Sequence, residues 1–269
     1  MDLGGYLARI GLDVDPRPDL DTLRALHRGH VEHIPYENLD VQLGVPVTRD
    51  PEAIFDKLVT RRRGDWCYEM NGLLAWALEE VGFTVTRVSA GVGRSDRGTS
   101  AVGNHLVLLV DLETRYLADV GFGEGLIEPL PLFEGTAVQR GLTFRLERLT
   151  DDWWRFHSHP LSGAADFDFC ESPADENLLD EKCLWLQTDP ESSFVLNAVA
   201  QRHLPDELNV LRGKTLRRVR GTDVETRTLA TAAEYLETLL DVFGLDLPAA
   251  AALWPRIEAR HTELFGDEV

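Results

Sequence analysis

Cysteine is scarce in this chain: Cys67, Cys170 and Cys183 are all that 269 residues contain. An odd number with no Cys-x-x-Cys spacing argues against a disulfide framework and gives no structural zinc pattern. Positive charge is short as well. Lysine and arginine number 27 against 46 aspartates and glutamates, a net −19, which disfavours nucleic acid and anionic membrane as partners. Long apolar runs are missing. The longest near-candidate, 106–110, is strand-sized and far below a membrane span. The start, Met1-Asp2-Leu3-Gly4-Gly5, has no basic stretch feeding an apolar one, so the expectation is a cytoplasmic protein without a secretory leader. No internal repeat or low-complexity segment is visible.

What is present suits a folded enzyme. Hydrophobic residues at 43% and charged residues at 27% are ordinary for a globular protein with a large core. The first eighty-odd residues read as mainly helical. A short helix at 6–10 closes on Gly11, and Asp19 caps a second that ends before Pro35. His27, His30 and His33 recur every three residues, which drifts round a helix; with no carboxylate or cysteine near, they read as partly exposed helix histidines and not as metal ligands. Residues 36–41 read as extended. Asp50-Pro51-Glu52 starts another helix, and Arg61 to Arg63 complement its negative end.

From 83 onward the texture changes to short strand-like runs at 83–92, 104–110, 115–120, 142–149 and 153–157, parted by glycine and polar turns. A β-rich middle unit such as a small barrel follows from this spacing. Residues 95–100 read as a mobile loop, 172–182 as irregular, and 193–200 and 216–219 as strands. Helical spacing returns at 231–243 and 247–265.

The chemistry centres on Arg63-Gly64-Asp65-Trp66-Cys67-Tyr68-Glu69-Met70-Asn71. Met70, Leu73, Leu74, Ala77, Leu78 and Val81 fall on one helix face, so Cys67 sits at the helix start, where free N–H groups and the dipole favour a negative sulfur. A lone cysteine also reads as a small buried hydrophobe. His105 opens one apolar run and Asp119 interrupts another; a charge there needs a partner if buried. A histidine fixed by an aspartate could take the proton from Cys67. Placing the two face to face in one hairpin sets Leu109 opposite Arg115 across a three-residue loop, 111–113. The plain alternative is a satisfied core hydrogen bond; three such residues on apolar frameworks weigh toward catalysis.

Taken in order, several motifs resemble the arylamine N-acetyltransferases along most of the chain. They are Tyr6-Leu7-Ala8-Arg9-Ile10-Gly11, Ile34-Pro35-Tyr36-Glu37-Asn38-Leu39-Asp40-Val41, the cysteine box above, Asn104-His105, and Tyr116-Leu117-Ala118-Asp119-Val120-Gly121-Phe122-Gly123. The resemblance implies an α+β fold with a papain-like cysteine-enzyme core: a helical domain over 1–83, a β-barrel domain over 84–190 and an α/β lid over 191–269. It implies a catalytic triad of Cys67, His105 and Asp119, and acetyl transfer from acetyl-CoA to an arylamine, hydrazine or hydroxylamine by double displacement, with no metal. It also implies substrate contacts by Tyr36, Trp66, Phe122, Gly123 and Phe194, though each aromatic reads equally as core. Arg9, Glu37 and Arg63 match a supporting ion cluster.

The chain departs from the family pattern at Asp65, where a glycine is usual. A carboxylate there opposes a sulfur anion unless paired, with Arg62 or Arg63 as the candidates. Trp66 replaces a smaller aromatic, and Cys183-Leu184 stands for an Asn-Trp pair. These changes leave two alternatives within reach of the same triad: an amide synthase closing a macrolactam, and a cysteine peptidase or transglutaminase. Partners are then a small amine and an acyl-CoA, with a homo-oligomer left open. Arg212, Lys214, Arg217, Arg218 and Arg220, or Arg94 and Arg97, could meet CoA phosphates, but a protective basic strand edge is the preferred reading.

Overall fold

A computed structural model describes residues 1–150, 152–164 and 166–266. The chain begins with α1 (Leu3–Arg9), capped by the Asp2 carboxylate, and α2 (Leu20–His33), capped by Asp19. A two-residue strand β1 (Tyr36–Glu37) turns at once into α3 (Leu39–Leu43) because the Glu37 carboxylate accepts the Leu39 N–H at 2.6 Å. The expected extended run therefore ends after two residues. Helix α4 (Pro51–Phe55) and one π turn (Asp56–Thr60) lead to α5 (Cys67–Val81), which closes on left-handed Gly82.

An eight-stranded antiparallel sheet follows. Its members are β2 (Thr84–Val92), then, after the short helix α6 (Arg94–Arg97), β3 (His105–Asp111), β4 (Arg115–Ala118), β5 (Leu130–Pro131), β6 (Gly135–Gln139), β7 (Leu142–Arg148), β8 (Trp153–His157) and β9 (Phe167–Cys170). The spatial order β5-β4-β3-β2-β9-β8-β7-β6 curls into a nearly closed barrel. After α7 (Glu176–Thr188) and α8 (Ser193–Leu196) come β10 (Val199–His203), β11 (Leu208–Arg212), β12 (Thr215–Arg220) and β13 (Asp223–Thr228). They form a second sheet in the order β1-β10-β11-β12-β13, so a strand from the N-terminal helical region completes it. Helices α9 (Ala232–Phe243) and α10 (Trp254–Phe265) end the described chain. The architecture is α+β. The last three positions of the segment expected over 191–269 lie outside the described residues.

The unbroken apolar run of β3 has a physical cause. It lies inside the sheet with both faces covered, so alternate residues enter two different cores. Leu108 and Val110 join Met70, Leu74 and Ala77 of α5, whereas Val107 and Leu109 pack with Phe144, Phe156 and Phe169 inside the barrel.

Several local expectations are corrected. His27 and His30 are fully buried, not partly exposed. Residues 95–100 form helical turns. Residues 176–188 are helical, since Asp175 accepts from the Asn177 and Leu178 N–H groups and starts α7. The run from 193 splits into α8 and β10. The basic strand β12 is not an edge: β13 covers it. The β3–β4 register also differs. Leu109 faces Leu117 and Asp111 faces Arg115, with 112–114 as the loop.

Candidate active site

The chain reaches Cys67 under tight constraint. At Gly64 a β-carbon would fall 1.9 Å from the Pro35 carbonyl oxygen, so only glycine passes there. The Asp65 carbonyl then accepts the Glu37 N–H at 3.0 Å, which clamps the strand entering α5. Trp66 is the N-cap and supplies no side-chain cap, so the first-turn N–H groups beside Cys67 have none from the sequence. Cys67 is 2% exposed.

His105 starts β3 and Asp119 follows the last residue of β4. They are not cross-strand partners, yet His105 Nε2 lies 2.8 Å from Asp119 Oδ2. The extra reach comes from the chain leaving the ladder after Ala118. Asn71, one helical turn after Cys67, holds the departing chain: its Nδ2 donates to Asp119 Oδ1 at 2.8 Å and to the Leu106 carbonyl at 2.7 Å, and its Oδ1 accepts the Val120 N–H at 3.0 Å. The Gly121 N–H donates to Asp119 Oδ1 at 2.9 Å.

Electrostatics make the pair ionic. Burial alone would lower the His105 pKa, but the Asp119 carboxylate, with Cys67 as the ring's second side-chain partner, pushes it up to about 10. Burial alone would raise Asp119; the imidazolium, Asn71 and the Gly121 N–H hold it below the ordinary carboxylate value. Tyr36 is raised well above its ordinary value, by burial first and then by Cys67 and Asp119.

Asp65 does not pair with Arg62 or Arg63. The Lys57 ammonium meets it, and also sits 2.8 Å from Asp40 Oδ2 and 3.4 Å from Glu69 Oε2. Arg63 instead bonds Glu37 at 2.6 Å and Asp40 at 2.9 Å. Arg9 joins this group through the backbone, donating to the Leu58 carbonyl at 2.8 Å and to the Arg63 carbonyl at 3.3 Å. Glu69, in the first turn of α5, is pushed up to about 8, by burial against the opposing pull of Lys57.

A cleft of about 860 Å³ opens on Cys67 and His105. Tyr36, Phe122 and Phe194 line it. Trp66 does not: it is fully buried behind the wall, edge-on to Phe194 with ring centroids 4.9 Å apart. Gly123 does not line it either. Its φ is +73°, and a β-carbon there would overlap the Gln201 side chain, so its service is to make room for that residue. Phe122 and Phe167 flank the His105 ring at centroid distances of 5.4 and 5.0 Å.

Comparison with known proteins decides the family. The model of a family described as N-acetyltransferase matches residues 19–252. An arylamine N-acetyltransferase of Mycolicibacterium smegmatis is 41% identical, covering 92% of this chain and 93% of the relative. The chain belongs to the arylamine N-acetyltransferase family. The family enzyme of Escherichia coli strain K12 is 34% identical over 92% of this chain and 90% of its own. The structure of the Mycobacterium marinum enzyme in complex with CoA superposes with a TM-score of 0.85 at 35% identity, covering 96% of this chain and 98% of that one.

In this family member the cleft also carries Arg97, Arg212, Arg217, Arg256, Arg260 and His261. The three from α10 are not legible in the sequence, because helical spacing does not say that a C-terminal helix returns to the site. Asn71 had a usable signal, lying four residues after Cys67 on the same helix face. Among the described residues, no group of three or more His, Cys, Asp and Glu is placed to hold a metal ion. No helix among them is long and apolar enough to cross a membrane.

Proposed function

We propose that the protein is an arylamine N-acetyltransferase carrying acetyl from acetyl-CoA to an arylamine, arylhydrazine or hydroxylamine through a thioester on Cys67. The observation that carries this reading is the buried His105–Asp119 pair, 2.8 Å apart, with Cys67 as the second side-chain partner of His105 and both Cys67 and His105 lining a large cleft. In the first half-reaction the Cys67 thiolate attacks the acetyl carbonyl, its C–S bond forms, and CoA leaves with the proton held by His105. In the second, the neutral amine attacks the new thioester, His105 accepts the amine proton, and the Cys67 thiolate departs. An aniline-type amine is weakly basic and therefore stays neutral and nucleophilic near neutral pH. N–H groups at the start of α5 are the donors for the tetrahedral oxyanion.

Phe122, Phe194 and Tyr36 wall the acceptor. Arg97, Arg212, Arg256 and Arg260 offer the cations that CoA phosphates need and that the acidic bulk withholds. In this reading residues 1–83 carry the nucleophile on a papain-like core, 84–190 carry His105 and Asp119, and 191–269 act as a lid over the cleft.

The test is incubation with acetyl-CoA followed by intact mass and peptide mapping, then a panel of amines. An acetyl group on Cys67 that an arylamine removes supports the reading. No adduct, or one that Cys67→Ser retains as strongly on another residue, overturns it.

A further inference from the structure

His27 stands in the middle of α2, far from Asp119 in sequence and fully buried beside it. The Asp119 backbone N–H donates to His27 Nε2 at 3.1 Å. The other ring nitrogen, Nδ1, lies 2.9 Å from the Ile127 carbonyl oxygen. These two contacts fix the tautomer. Nε2 accepts, so it bears no proton; Nδ1 carries the proton and donates to Ile127. A charged ring would present N–H to N–H at Asp119. The charged and titratable groups facing the ring are Asp119, His30 on its own helix, and His203 of β10. Burial lowers the His27 pKa to about 4 against the opposing Ile127 carbonyl and Asp119, so the neutral form persists at neutral pH.

The place of this contact gives it meaning. Pairing of β4 with β3 stops at Ala118, so no ladder bond sets the backbone of Asp119. Two side chains replace the ladder. Asn71 takes the Val120 N–H and His27 takes the Asp119 N–H. Through Ile127, the same imidazole also ties down the far end of the segment that carries Phe122. An apolar residue at 27 would leave a buried N–H and a buried carbonyl without partners and would free the backbone from which the carboxylate reaches His105.

We infer that His27 is a positioning residue: a neutral imidazole, protonated on Nδ1, that fixes the Asp119 backbone and so keeps the carboxylate on His105. This rests on the acyl-transfer reading of Cys67, His105 and Asp119. Its effect passes through the backbone at Asp119 and Ile127, the two ends of the segment that carries Phe122; His27 touches neither substrate nor sulfur.

The experiment compares wild type, His27→Leu and His27→Gln, whose amide supplies an acceptor and a donor as the ring does. Three readouts are taken: kcat and KM for acetyl transfer, the rate of Cys67 alkylation by iodoacetamide against pH, and Tm. The expected result for His27→Leu is a kcat down tenfold or more on the order expected for misplaced catalytic groups, with acceptor KM little changed. Its alkylation profile should move to higher pH, because a displaced carboxylate no longer supports the imidazolium. His27→Gln should recover most of both. A His27→Leu enzyme with lower Tm but wild-type kcat and alkylation profile overturns the inference, as does a His27→Gln enzyme no better than His27→Leu. Should His27→Leu fail to fold, the long-range ¹H–¹⁵N spectrum of the wild-type protein decides. A neutral His27 ring with its proton on Nδ1 at neutral pH supports the assignment, and an Nε2–H or charged ring overturns it. If wild type itself takes no acetyl from acetyl-CoA, the acyl-transfer reading fails first, and the alkylation and tautomer results still judge His27 separately.

Discussion

Gly121 lies against the start of α5 so closely that a β-carbon on it would fall 2.5 Å from Cys67 Cα and 2.7 Å from Asn71 Nδ2. The contact locks the segment after Asp119 onto the helix that presents the thiol. Gly121→Ala must therefore push Cys67 and Asn71 apart from Asp119. Acetyl transfer should drop on the order of 10²-fold, and overpacking should cost about 1–3 kcal/mol in urea denaturation. An active Gly121→Ala enzyme of wild-type stability would mean that the contact does not govern the site.

Asn71 also holds that arrangement, with three buried hydrogen bonds. Asn71→Leu keeps the branched shape and removes the partner of the Leu106 carbonyl and of the Val120 N–H, while Asp119 Oδ1 retains only the Gly121 N–H. Each unpaired buried group costs about 1–3 kcal/mol. We expect a stability loss of several kcal/mol together with slower Cys67 acetylation, followed by denaturation and by stopped acetyl-CoA incubation.

The ionic pair imposes a pH dependence whose sign can be worked out. The folded His105 pKa, about 10, lies above the ordinary histidine value, so the native state holds the extra proton. The resulting stability is fully present below about pH 6.5 and is lost as pH rises through about 10. Asp119, held below its ordinary value, stabilises above the ordinary carboxylate range and is lost as pH falls through its folded value. Urea midpoints between pH 7 and 10 should fall in wild type, and Asp119→Asn should flatten that slope because its His105 no longer gains a proton.

Glu69 carries the opposite surprise for a carboxylate. With a folded pKa near 8 it keeps a proton at neutral pH, and its stabilising contribution declines as pH rises from the ordinary carboxylate value through about 8. Glu69→Gln should accordingly cost no more than about 1 kcal/mol at pH 6, while Lys57→Met, which leaves buried Asp65 without its cation and Asp40 with Arg63 alone, should cost about 3–5 kcal/mol. Equal losses in the two variants would show Glu69 to be ionised.

The sequence carried the helix of Cys67, the strand that His105 opens and the strand that ends just before Asp119, because those rest on local periodicity and on glycine and proline stops; strands β5, β6, β9, β11 and β13 are not expected from it. Helix α7 is hidden by acidic surface residues that obscure its apolar stripe, although Asp175 marks its start. Strand β12 looks like a basic edge because a sequence does not say which strand pairs beyond it; β13 does. Asp65 points to nearby arginines, whereas a lysine from the preceding π turn reaches it. The buried histidines of α2 escape sequence reading for the same reason. Burial of a polar side chain depends on partners brought from elsewhere, here Ile127, Asp119 and Tyr6.

Sequence by itself determined that a thiol opens a helix, that a histidine opens an apolar strand and a carboxylate follows another, and which family these motifs resemble. Only the tertiary structure decided how the three meet. The ladder between β3 and β4 sets His105 and Asp119 out of register, and their 2.8 Å contact exists because Asn71, Gly121 and His27 bend the chain after Ala118. Such bonds join residues from separate elements, and their strength comes from burial that no local stretch of sequence contains.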